Sequence, residues 1–358
     1  MTLRVSMFAN RVSGLSSLLN TLNQIDRVRR RLRRVALAVV AMVLSGCVQS
    51  LNDLGMASHD IPSKLVASMR AKGMKPESPV LVRIFKMESE LEVWKVDGSG
   101  KYALLKVYPM CRWSGKLGPK TKTGDRQAPE GFYSVSIGGL NPKSQFYLSF
   151  NLGYPNRLEA ALGYSGEALM VHGACSSSGC FAVTDQGVGE IYAVAEKALK
   201  GGRQAFQVQA YPFRMTPQNL ATHRDDPNFA FWKTLKQGYD IFEVRRHEPK
   251  VAACGRKYVF DAEFKDGDAG DPLAACPERI DQSDPAVVAK ASADDRKYQE
   301  LAAKSFTPLA YQDGGMHPSF RALLTENGDV KLAEKVSVIK YPISRPVAAL
   351  ADPFDGRQ

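Results

Sequence analysis

The feature that most constrains the fold lies between residues 80 and 108. Val80-Leu81-Val82-Arg83-Ile84-Phe85-Lys86 and Leu91-Glu92-Val93-Trp94-Lys95-Val96 read as strands. Asp97-Gly98-Ser99-Gly100 is a turn signal, and residues 102–108 form the return strand. A Gly/Pro-rich stretch over 114–131 is followed by strand-like runs at 132–137, 146–150, 169–171 and 206–210. One helix interrupts them: Val188, Ile191, Tyr192, Ala195 and Leu199 fall at helical spacing, and Gly201-Gly202 ends the run. Asp185 is the expected N-cap, with Glu190 in the early turns. Residues 79–215 therefore read as one mainly β domain with α, an α+β fold.

From 216 the character changes. Thr216-Pro217 opens a helical extension over 216–260, and Phe229, Trp232, Leu235, Tyr239 and Phe242 form an apolar stripe suited to packing on the core. Residues 261–300 hold eleven Asp/Glu and five Lys/Arg with few large apolar groups, so 261–358 is expected to be a polar, partly disordered tail. Strand-like content returns only at Val336-Ser337-Val338-Ile339.

The N-terminal segment reads as an address. A basic cluster over 27–34 runs into the ten apolar residues 35–44, about half the length a membrane-spanning helix needs. That is a secretory signal pattern, and Leu44-Ser45-Gly46-Cys47 resembles a bacterial lipobox. The expected processing removes 1–46, lipidates Cys47 and leaves 47–78 as a tether with a short helix over 63–72. Val48 after the cysteine favours the outer membrane over inner-membrane retention, which places the protein in the periplasm, on a lipid anchor. Seven of the eleven net positive charges belong to residues 1–46. A nucleic-acid partner therefore loses most of its support.

Export also bears on the six cysteines, because spare thiols pair in an oxidising compartment. With Cys47 lipidated, five remain. Cys254 and Cys276 are expected to pair. Cys111 and Cys175 are either a second disulfide or two buried thiols, which leaves Cys180 free and open to reaction. No spacing fits a metal site, and the Cys175/Cys180 spacing is not that of a Cys-x-x-Cys oxidoreductase.

The chemistry concentrates in Met170-Val171-His172-Gly173-Ala174-Cys175-Ser176-Ser177-Ser178-Gly179-Cys180. A cysteine nucleophile needs a base, and a strand-end histidine joined to it by a loop of small residues can supply one. Gly179 allows close backbone approach of a substrate, and N–H groups around 178–180 could form an oxyanion hole. The helix that follows is expected to favour thiolate through its dipole.

His-Gly…Ser-x-Gly-Cys resembles the active-site signature of the L,D-transpeptidase catalytic domain (YkuD type), and the short His-to-Cys gap resembles its YafK-like branch. Three further segments agree: Gly124-Asp125-Arg126-Gln127-Ala128-Pro129-Glu130-Gly131-Phe132-Tyr133; Tyr147-Leu148-Ser149-Phe150-Asn151-Leu152-Gly153-Tyr154-Pro155-Asn156; and Tyr211-Pro212-Phe213-Arg214-Met215. The resemblance spans roughly 79–250. It implies a β-sandwich or barrel catalytic domain, a helical C-terminal extension and acyl transfer on peptidoglycan stem peptides without a cofactor. Carried over by position, Cys180 is the nucleophile, His172 the base, and Gly173 sits where a neighbouring residue orients the histidine. Ser178 and Gly179 belong to the oxyanion loop. Many members have Ser-His-Gly-Cys; this chain has Ser177-Ser178-Gly179-Cys180, so His172 serves alone. Arg126 and Gln127 are candidates to bind a stem-peptide carboxylate, and Tyr147 and Asn151 to line the groove.

The expectation is a cysteine acyl transferase that cross-links or remodels the cell wall. One alternative is an amide hydrolase of the same family that releases a peptidoglycan-bound envelope lipoprotein. Another is a wall-binding lipoprotein without catalysis.

Overall fold

The computed structural model describes residues 59–344, apart from 266, 282, 309, 310 and 312. The expected signal segment and Cys47 lie outside the described residues. Helix α1 (Ser63–Ala71) leads into β1 (Val80–Phe85), β2 (Glu90–Val96), β3 (Tyr102–Pro109) and the short β4 (Arg112–Trp113). There follow β5 (Gly131–Ser136), β6 (Leu140–Asn141), β7 (Ser149–Asn151), α2 (Arg157–Ala161), β8 (Met170–His172) and β9 (Phe181–Ala182). Helix α3 (Asp185–Lys200), β10 (Ala205–Tyr211), α4 (Pro217–Thr222), α5 (Phe229–Arg245) and the hairpin β11 (Val251–Cys254) and β12 (Lys257–Phe260) come next. Helices α6 (Pro285–Ala302) and α7 (Pro318–Val336) close the described chain.

The strands form two five-stranded sheets, ordered β3-β2-β1-β10-β5 and β4-β9-β8-β7-β6, beside the two-stranded hairpin. The fold is α+β, as the sequence suggests, and neither sheet closes into a barrel. Strand β1 is buried along its whole length because both faces are covered. Val80, Val82 and Ile84 join the main core with Val188, Ile191 and Val194 of α3. Leu81 meets Phe242, and Phe85 meets Trp232, Leu235 and Tyr239, so the α5 stripe packs where its spacing implies. A strand sandwiched in this way tolerates an unbroken apolar run.

Several segments differ from expectation. Helix α1 does not stand in a loose tether: its Leu65 and Met69 enter the main core. The N-cap of α3 is Thr184, whose hydroxyl accepts from Gly187 N–H at 3.0 Å; Asp185 is the first helical residue. Residues 285–302 are helical despite their polarity, because α6 docks by charge and one ring. Lys236 reaches Asp294 at 2.8 Å, and Tyr298 stacks on Phe229. Its N-terminus has a cap in Asp284 and a proline at its first position. The expected strand over 336–339 is instead the end of α7 and a turn. Phe320, Leu324, Leu332 and Val336 bury at helical spacing, with a kink at Gly328.

Candidate active site

Strands β7, β8 and β9 build the site. Phe150, Val171 and Phe181 lie across one row in register, each fully buried. Side chains alternate between faces, so the flanking rows share the opposite face. One row is Ser149, His172 and Ala182; the other, with the register continued by one residue, is Asn151, Met170 and Cys180. Continuing the strand alternation one residue before β9 places Cys180 on the same face as His172, one strand over.

The imidazole is buried and oriented. Its Nδ1 lies 2.5 Å from the Gly173 carbonyl oxygen, so with Nδ1 as donor the Nε2 lone pair is left for chemistry. The Phe146 ring packs on it at 4.7 Å, and Tyr341 meets Phe146 edge-on. Burial pushes the His172 pKa below the ordinary value, opposed by the Gly173 hydrogen bond and the charge of Asp185.

Cys180 is half-buried and is the free cysteine of the described residues. Cys111 is disulfide-bonded to Cys175, and Cys254 to Cys276. The first bridge ties the loop after His172 to the end of β3. Burial raises the Cys180 thiol pKa, and a backbone hydrogen bond at Met170 and the Lys120 charge only partly offset it. Burial thus works against the dipole-stabilised thiolate expected from the sequence. Helix α3 begins five residues later, and a carboxylate, that of Asp185, already sits at its N-terminus. Both shifts favour the neutral thiol and the neutral imidazole.

The loop between them is organised by Ser177. Its hydroxyl donates to the Cys180 carbonyl at 2.7 Å and meets Ser114 Oγ at 2.9 Å, while its N–H donates to Ser344 Oγ at 2.9 Å. Ser178 is exposed beside it. Gly179 has φ +131°, and a Cβ there would sit 3.4 Å from Leu169 and 3.7 Å from the Gln127 carbonyl. The 125–127 turn therefore borders the cysteine.

That turn hangs on Asp125, which accepts from Thr121, Lys122 and Gln127 N–H and pairs with buried Lys120. Arg126 is half-exposed, with Nη2 3.4 Å from Asp313. Gln127 turns back: its amide bonds the backbone of Lys116 and Gly118. Tyr147 stands at the other end of the site, next to Gly173. Asn151 accepts from Gly153 N–H at 2.9 Å, a turn contact. Among the described residues nine non-glycines have left-handed backbone, and Arg126, Tyr147, Ala168 and Ala174 of these surround the pair. Strained backbone of this kind persists where surrounding structure over-determines it.

The sequence reading gave no role in the site to Ser177, Lys120, Asp185 or the C-terminal segment. Ser337 Oγ and Val338 N–H both donate to Asp185, and Ser344 reaches Ser177. Nothing in the local pattern around 337–344 marks it as a neighbour of residue 172. Among the described residues no group of His, Cys, Asp and Glu could hold a metal ion.

The fold is α+β, and its shorter sheet carries a free thiol and a buried, oriented imidazole. No protein-family profile matches the chain. Against curated proteins, it is 42% identical over 221 residues to "Putative L,D-transpeptidase YafK" of Escherichia coli K12, covering 62% of this chain and 88% of the relative. The protein of the same name in Escherichia coli O157:H7 matches equally. The chain belongs to the L,D-transpeptidase family, in its YafK-like branch. Among solved structures, the helical cell shape determining protein Pgp2 of Campylobacter jejuni is 18% identical with a TM-score of 0.31, covering 52% of this chain and 79% of that one. Bd1075 of Bdellovibrio bacteriovorus is 14% identical with a TM-score of 0.29, covering 57% and 94%.

Proposed function

We propose that this protein is a cysteine acyl transferase of the cell envelope that acts on peptidoglycan stem peptides. The observation that carries the reading is the shared sheet face of Cys180 and His172, with Nδ1 tied to Gly173 and Nε2 left to take a proton. Because the thiol is raised and the imidazole lowered, no ion pair precedes reaction. His172 Nε2 removes the thiol proton as Sγ attacks the carbonyl at the L-centre of the stem's diamino acid. The developing oxyanion faces the Ser178 and Gly179 backbone. Gly179 N–H holds only a long bond, 3.4 Å, to Ser177 Oγ and can turn to that task. Collapse breaks the amide, and His172 returns its proton to the leaving amine. The thioester then passes to an amine, which forms a cross-link, or to water.

The hydrolytic outcome has an observation in its favour. Residues 337–344 lie against Asp185, Phe146 and Ser177, which narrows the space a second stem peptide would need. Water needs no such space. In that outcome the enzyme releases an amine-linked group, such as a peptidoglycan-bound envelope lipoprotein. The proposed location is the periplasmic face of the outer membrane, through lipid on Cys47.

The test incubates purified protein with defined muropeptides, with and without an acceptor amine. The wild type is expected to turn over through a Cys180 thioester detectable by mass. Binding without turnover or thioester would make it a wall-binding protein instead.

A further inference from the structure

We propose that Asp185 is a positioning residue of this site, whose carboxylate acts on His172 through the Gly173–Ala174 peptide unit. The inference rests on the reading of Cys180 and His172 as the working pair. Thr184 already caps α3, so the Asp185 side chain is free to turn away from its own helix. It is buried, at 1% exposure. Its Oδ1 accepts from Ala174 N–H at 2.7 Å. The carbonyl of that same peptide unit, on Gly173, faces His172 Nδ1 at 2.5 Å. One amide therefore joins the two groups, its N–H on the carboxylate and its C=O on the imidazole.

Such a chain polarises itself. A carboxylate on the N–H side puts more negative charge on the carbonyl oxygen and makes it a better acceptor for Nδ1–H. The effect matters most when Nε2 has taken the thiol proton and the ring is positive in a buried place. The proton balance is simple: one proton moves from Sγ to Nε2 and later to the leaving amine. Nδ1–H stays in place, and no proton crosses the peptide.

Two local features follow from the same contact. Residue 173 has no room for a side chain, since a Cβ would lie 2.5 Å from Asp185 Oδ1 and 2.8 Å from the Phe146 carbonyl. Ala174 holds a left-handed φ of 52°, a conformation its bond to Asp185 helps retain. The other carboxylate oxygen is satisfied from far along the chain, by Ser337 Oγ at 3.0 Å and Val338 N–H at 2.6 Å. The C-terminal segment thus completes the carboxylate's shell.

The test combines kinetics with nitrogen-15 histidine NMR on the whole protein. In the wild type, His172 is expected as the Nδ1–H tautomer with a low-field proton. In Asp185→Asn, kcat is expected to fall about ten- to a hundredfold, as for other partners that orient a histidine. KM is expected to stay within about twofold, because the substrate contacts are untouched. The Nδ1 proton is expected to move upfield in a variant that keeps its near-ultraviolet circular dichroism. Unchanged kcat and an unchanged His172 resonance in folded Asp185→Asn would overturn the proposal. So would a rate loss that tracks unfolding while that resonance stays put. A wild-type His172 in the Nε2–H tautomer would overturn it without any variant. Full turnover in Cys180→Ala would instead remove the functional reading, and leave the NMR result standing on its own.

Discussion

The two five-stranded sheets divide the work unequally. In the first, β1, β2, β3, β5 and β10 run six to eight residues each and pair in near-continuous register. In the second, β4, β6, β7, β8 and β9 run two or three residues each. In the first sheet β1 is covered on both faces, by α3 on one and α5 on the other. The second has one apolar face, through Phe150, Val171 and Phe181, and gives its other face to His172 and Cys180. Long strands bury area but leave little backbone free to bend. Short strands end in loops, where left-handed residues can aim a carbonyl or a thiol. The first sheet carries the longer buried strands, and the second carries the candidate site.

The largest expected effect falls on the second sheet. Cys180→Ala removes the proposed nucleophile, so muropeptide turnover should vanish while the thermal midpoint stays close to wild type. His172→Ala should lower kcat by roughly two to four decades, the usual contribution of a general base, again with an intact fold. If either variant melts far below wild type, the division of labour fails.

The first sheet should respond in the opposite way. Phe85 is fully buried between β1 and α5, against Tyr211 and Tyr239. Phe85→Ala should cost about 3–5 kcal/mol in urea unfolding, while kcat per folded molecule changes little.

A smaller effect lies at the rim of the first sheet. Glu159 accepts from Tyr133 of β5 at 2.7 Å, and burial pushes its pKa up to about 7. The folded state then holds a proton that the unfolded state releases near pH 4.5. This contribution is complete below about pH 4.5 and is lost as pH rises towards 7, by up to about 3 kcal/mol. Glu159→Gln should flatten that part of the stability profile, read as urea midpoints at pH 5 and pH 8. A profile identical to wild type would show that the carboxyl is not protonated in the fold.

The smallest effect returns to the site. The Lys120 charge favours the Cys180 thiolate against burial. Lys120→Met should shift the pH dependence of Cys180 alkylation by iodoacetamide to higher pH. No shift would remove Lys120 from the electrostatics of the site.

Much of this was legible in the residues. The Asp97-Gly98-Ser99-Gly100 turn and its flanking alternation specify the β2–β3 hairpin, and the 229–242 stripe specifies α5. The His172 to Cys180 loop stood out because small residues joined two reactive ones. Asp185 was legible only as a helix start. Cap and first helical residue look alike in sequence, and which one turns its side chain outward depends on what Thr184 does. Helix α6 was missed because charge, rather than apolar periodicity, holds it down. Gln127 looked free to meet a substrate, yet its amide closes the loop over 115–118.

By itself the sequence determined the local things: where strands and turns fall, which helix face is apolar, and which thiol and imidazole share one loop. These depend on residues a few positions apart, whose geometry the backbone dictates. Only the tertiary structure decided that β8 and β9 pair in parallel, which puts His172 and Cys180 on one face. It alone also brought residues 337–344 to a loop more than 150 positions earlier. Pairing register and long-range contact come from the collective burial of Phe150, Val171, Phe181 and α7, and no short stretch of sequence contains that sum.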